Sequence, residues 1–166
     1  TIAKSKIPTI ALAHGFGIGG ATSLVSACDI RLATKDAKFS IGETKLGLVA
    51  DVGVLQRMPK IVSSGDINEL ALTGRIFDGE HAEKIRFVSK AYENSDELFE
   101  AGEKLANEIS SNSKRIVQAT KEALEKSSNL TVDQGLEYAK LWSTSFLISE
   151  DLREGVMAFL EKRDPK

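Results

Sequence analysis

Residues 8–34 read PTIALAHGFGIGGATSLVSACDIRLAT, and the order of residue types along them decides the fold class. "PTIALAH" (8–14) opens on proline and continues with apolar and β-branched side chains, which predicts a buried strand. "GFGIGG" (15–20), with four glycines in six residues, predicts a tight loop. "ATSLVSAC" (21–28) is small and apolar and long enough for a short buried helix. "DIRLAT" (29–34) reads as a second strand. Strand, helix and strand in that order make a crossover, and crossovers join parallel strands covered on both faces.

Outward from this unit, "AKFSI" (37–41) reads as a further short strand. "VGVLQRMPKIV" (52–62) reads as a helix that Pro59 disturbs or ends. From about residue 66 the pattern turns helical. Leu98, Ala101, Leu105 and Ile109 keep helical spacing, as do Ile116, Thr120 and Leu124. Thr131 and Gln134 form a capping-box pair ahead of a helix with Tyr138, Ala139, Trp142 and Phe146 along one face. A last helix shows Leu152, Val156, Phe159 and Leu160 at the same spacing. These stripes read as core or subunit contact rather than chemistry. Two or three short strands make a sheet too small to stand alone. The chain is therefore expected to be the second half of a domain, completed upstream or by another chain.

Bulk properties exclude several classes. The 166 residues, 42% hydrophobic and 28% charged, suit one globular domain without repeats or low-complexity tracts. A net charge of -2 marks neither nucleic acid nor an anionic membrane as partner. No apolar run approaches a membrane span, and the start lacks the apolar core of a signal peptide. The single cysteine, Cys28, forbids an internal disulfide and reads as an inert thiol within an apolar helix.

Chemistry concentrates in two places. A glycine loop at a strand-to-helix junction lets backbone approach a ligand, and the helix start directs free N–H groups outward. Gly15, Gly17, Gly19 and Gly20 do not follow the dinucleotide pattern, and no acid follows at the required distance. Two alternatives remain, an oxyanion hole and a packing turn. The second place is "GETKLGLVADVG" (42–53), where Glu43 and Asp51 stand among glycine and apolar residues. Asp51 could cap the following helix. Together, carboxylates in apolar walls also have the makeup of proton-transfer catalysts. His14 reads as structural, and His81 has no companions at metal spacing, so no metal site is expected. Ser23 lies in no nucleophile elbow.

"IPTIALAHGFGIGGATSLVSACDIRLAT" followed by "FSIGETKLGL" resembles the enoyl-CoA hydratase/isomerase (crotonase) family. "ADVGVLQRMPKIV" is similar to its dienoyl-CoA isomerase branch, and "EDLREGVMAFLEKRDP" to its C-terminal helix. The resemblance implies an α/β crotonase-like spiral core, of which residues 1–65 are the C-terminal part with oxyanion loop and catalytic acids. Residues 66–166 would be a helical region with oligomerisation helices. Gly20 would supply one oxyanion N–H, Glu43 and Asp51 would be the catalytic acids, and Gly19, Ser23 and Leu48 would line the substrate pocket. Ser23 departs from the family pattern, which has an acid there.

The activity so implied converts 3,5-dienoyl-CoA to 2,4-dienoyl-CoA in fatty-acid β-oxidation. The alternatives are an enoyl-CoA hydratase, a 3,2-enoyl-CoA isomerase or a catalytically silent subunit. The resemblance also implies an acyl-CoA substrate, no cofactor and a homotrimer or hexamer. The expected place is the mitochondrial matrix or peroxisome in a eukaryote, otherwise the cytoplasm.

Overall fold

A computed structural model describes residues 2–163. The chain divides into two compact units, Thr1–Ser5 with Thr9–Leu105, and Lys6–Pro8 with Ala106–Lys166.

In the first unit the crossover read from residues 8–34 is present. Strand β1 (Ile10–Ala13), helix α1 (Gly20–Ser26) and strand β3 (Ile30–Thr34) follow one another, and β1 pairs parallel with β3. The expected tight loop differs. Phe16–Ile18 form a strand, β2, that pairs parallel with β4 (Lys38–Ser40). Glycine normally weakens a strand, and its presence there often marks a close approach. Here a Cβ on Gly17 would stand 3.2 Å from the Phe39 ring. The ring beneath β2 thus accounts for the glycine.

Two further strands interrupt the region expected to be helical. β5 (Phe77–Asp78) pairs antiparallel with β4, and β6 (Lys90–Tyr92) pairs parallel with β3. Each sheet therefore has three strands, in the orders β1-β3-β6 and β2-β4-β5. Between them run α2 (Val54–Arg57), α3 (Ser64–Thr73) and α4 (Gly79–Lys84), and α5 (Ser95–Ser110) follows β6. Pro59 acts as expected: α2 stops at Arg57 and a single 3-10 turn, Met58–Lys60, carries the proline at its start.

The core of this unit gathers Phe39, Phe77 and Phe87 with Ile41, Met58 and Leu70. The Phe39 ring meets Phe87 edge-on at 5.5 Å and Phe77 at 5.5 Å. Such contacts add to what burial of apolar area provides. Arg31 ties the start of β3 to the loop at residue 87, donating to the Phe87 carbonyl at 2.6 Å and to the Cys28 carbonyl at 2.8 Å. Burial pushes the Arg31 guanidinium below its ordinary range.

The second unit is helical: α6 (Lys114–Ser127), α7 (Val132–Phe146) and α8 (Glu150–Glu161). The capping box is formed in both directions between Thr131 and Gln134. Gly135 permits close packing of α6 and α7, since a Cβ there would lie 3.1 Å from Ser127 Oγ. Trp142 and Phe146 stack at 5.7 Å. Other stripe residues are not core: Leu124, Phe159 and Leu160 are 69%, 82% and 69% exposed.

Candidate active site

The site begins where β2 meets α1. Gly19 takes a conformation with φ 58°, which glycine reaches at no steric cost, and its N–H donates to the Ser40 carbonyl at 2.8 Å. Gly20 is the first residue of α1, so its N–H has no acceptor within the helix. A Cβ on Gly20 would meet nothing within 4 Å. The Cα of Gly20 therefore borders open space on its side-chain side.

Thr22 locks this junction. Its side chain is fully buried; it donates to the Gly17 carbonyl and accepts from the Ser40 N–H at 3.2 Å. One hydroxyl thus bridges β2 to the end of β4. Ser40 in turn donates through its hydroxyl to the Gly74 carbonyl at 3.1 Å.

Glu43 sits in a 3-10 turn, Gly42–Leu46, closed by Gly47 at φ 73°. The Leu48 N–H donates to the Glu43 carbonyl at 3.0 Å, and the Thr44 hydroxyl donates to the Ala71 carbonyl of α3 at 2.7 Å. A Cβ on Gly19 would stand 3.5 Å from Glu43 Oε1. Glu43 Oε2 is buried without a hydrogen-bond partner. A carboxylate with one buried, unpartnered oxygen therefore stands beside the glycine junction.

Asp51 differs. The residue is exposed, and the N-cap of α2 is Gly53 with no side-chain cap bond. The capping role considered from the sequence is absent. This chain does not by itself supply apolar walls around Asp51: Val49 and Val52 beside it are 81% and 60% exposed. Leu48, read as a pocket residue, is likewise exposed. Arg57 instead closes this loop, donating to the Val52 carbonyl at 3.1 Å with its guanidinium against Gly53.

Ser23 is buried at 1% exposure and its hydroxyl has no partner. His14 is exposed and meets Phe99 edge-on at 5.7 Å. Cys28 lies beyond the end of α1, half-buried, rather than inside the helix. The sequence reading missed Thr22, Ser40, Thr44 and Arg57. These hydroxyls and the guanidinium act on backbone carbonyls distant in sequence or in turns, and no spacing rule marks them.

Comparison with known proteins gives this geometry a context. The family described as enoyl-CoA hydratase/isomerase matches residues 1–166. A mitochondrial Delta(3,5)-Delta(2,4)-dienoyl-CoA isomerase of Dictyostelium discoideum is 49% identical over 99% of the chain, covering 56% of that protein. A peroxisomal enzyme of the same name from Arabidopsis thaliana is 43% identical over 99% of the chain and 59% of its own length. An enoyl-CoA hydratase structure from Mycobacterium marinum superposes with TM-score 0.91 at 34% identity, over 97% of this chain and 64% of that one. The chain spans a little over half the length of the curated relatives it matches.

Proposed function

Because the chain belongs to the enoyl-CoA hydratase/isomerase family, we propose that the protein carrying it converts 3,5-dienoyl-CoA to 2,4-dienoyl-CoA. The observation that carries this reading is the Glu43 carboxylate standing against the Gly19–Gly20 junction. The relatives of that activity are also the ones with 40–49% identity across nearly the whole chain. The crotonase-like α/β fold itself is shared with the solved hydratase structures.

The thioester carbonyl oxygen would accept from the Gly20 N–H. As negative charge grows on that oxygen, the hydrogen bond strengthens and lowers the barrier to removing a proton from carbon 2. One of Glu43 and Asp51 takes that proton. Electrons spread through the conjugated chain, and the other acid, in its protonated form, delivers a proton to carbon 6. The double bonds move from 3,5 to 2,4 with no net change in composition. Carboxylates and an N–H donor supply every step as written, so the reaction calls for no redox change and no metal. Gly19, Ser23 and Leu48 would line the acyl path.

Purified full-length protein offered 3,5-dienoyl, 3-enoyl and 2-enoyl thioesters tests the reading. Turnover confined to the dienoyl substrate is the expected result; hydration of the 2-enoyl thioester alone would overturn it, and no turnover on any would mark a silent subunit.

Assembly belongs to the same proposal. The second unit leaves Phe146, Val156, Phe159 and Leu160 around an open, apolar groove of about 520 Å³, and a contiguous apolar surface of this kind can mark an interaction site. A homotrimer or hexamer would cover it, and sedimentation of the full-length protein at micromolar concentration decides this. The relatives are named as mitochondrial or peroxisomal, and the same organelles are proposed for this protein.

A further inference from the structure

Two buried polar oxygens beside the glycine junction have no partner: Ser23 Oγ and Glu43 Oε2. Native proteins pair nearly all such groups, so two orphans at one junction need a common account. Ser23 lies one turn into α1, where its N–H donates to the Gly19 carbonyl at 3.1 Å. A helical side chain leans toward the helix N-terminus, so the Ser23 hydroxyl leans over the turn of Gly19 and Gly20. Glu43 Oε1 also stands beside Gly19, 3.5 Å from where a Cβ would be.

The ordinary fate of a helical serine does not apply. Such hydroxyls commonly bond a carbonyl of the preceding turn, and Ser26 does so in this same helix, donating to the Ser23 carbonyl at 2.7 Å. Ser23 makes no such bond. Its hydroxyl is free to serve another acceptor, and a carboxylate oxygen is the strongest acceptor type available.

We propose that Ser23 is a positioning residue for Glu43, its hydroxyl donating to the Glu43 carboxylate through one bridging water. The bridge fixes which carboxylate oxygen faces the substrate, since a hydrogen bond to one oxygen holds the carboxylate in one rotamer. The inference rests on reading Glu43 as an acid–base group of the isomerase.

The test uses the full-length protein with Glu carboxyls labelled by carbon-13, the Glu43 signal being identified by its loss in Glu43→Gln. At neutral pH the Glu43 carboxyl resonance is expected to shift in Ser23→Ala and to return to its wild-type position in Ser23→Thr, which keeps the hydroxyl. On the dienoyl thioester, kcat should fall in Ser23→Ala with little change in KM and recover in Ser23→Thr. An unchanged resonance in Ser23→Ala would overturn the proposal, as would equal shifts in the Ala and Thr variants, which would point to packing. Absence of isomerase activity in the wild type would sink the functional reading by itself, because the resonance is read without substrate.

Discussion

The turn that carries Glu43 and the loop that carries Asp51 are neighbours in the chain and are built differently. Around Glu43, every nearby segment is tied to another: Gly19 to Ser40, Ser40 to Gly74, and Thr44 to Ala71. These bonds join β2, β4 and α3, so the carboxylate sits on a rigid support. Around Asp51, Leu48, Val49 and Val52 face outward, and among the described residues the Asp51 side chain has no hydrogen bond or ion pair. The main local restraint is Arg57 folded back on the Val52 carbonyl. One acid arrives positioned by this part of the protein; the other depends on what covers its loop. A shared role in proton transfer does not require a shared means of placement.

The largest test of this contrast concerns the acids themselves. Glu43→Gln and Asp51→Asn should each lower dienoyl turnover in the full-length protein by ~10²–10⁴-fold, since each exchange is nearly isosteric and removes only proton exchange. Steady-state kinetics on the dienoyl thioester checks both. Near-normal turnover in Asp51→Asn would leave Glu43 as the only acid in the chemistry.

Next in size is the support beneath Glu43. Thr22→Val leaves the Gly17 carbonyl and the Ser40 N–H without the hydroxyl that joins them. Stranding buried polar groups costs about 1–3 kcal/mol, so urea unfolding should show a loss in that range. Turnover should fall with it. A stable variant with normal kinetics would show that the glycine junction is rigid without this bridge.

Thr44→Val removes one bond from a more exposed position. A loss of about 0.5–1.5 kcal/mol is expected in the same urea experiment, together with a smaller drop in turnover than Thr22→Val causes. The smallest effect belongs to Asp51 again. Because it caps no helix, Asp51→Asn should change unfolding stability by less than about 0.5 kcal/mol. A larger loss would give Asp51 a structural role that this half of the protein does not display.

Several features were legible without coordinates because their causes are local. The crossover of residues 8–34 depends on residue types within one short stretch, and β1, α1 and β3 appear where that stretch puts them. The helix start at Thr131 follows from a side chain that accepts a bond three residues on, and the starts at Ser63, Ser113 and Ser149, which the sequence reading did not single out, have the same local cause. Pro59 ends its helix because it lacks an N–H and restricts the residue before it. Glu43 and the glycines stood out by chemical type alone.

What the amino-acid order determined by itself is thus the long helices α5 to α8, the parallel crossover and the identity of the reactive side chains, all governed by contacts within a few residues. Tertiary structure decided the rest. β2, β5 and β6 are two or three residues long and exist only because a distant strand offers its unpaired N–H and C=O groups. Burial is equally non-local: the same helical spacing made Leu98 fully buried and left Leu124 mostly exposed, according to what each helix packs against. The approach of Glu43 to Gly19 spans 24 residues of chain and required the pairing of β2 with β4 to bring the two together. Spacing along a chain carries no record of such pairings, since they are set by the summed packing of the whole core.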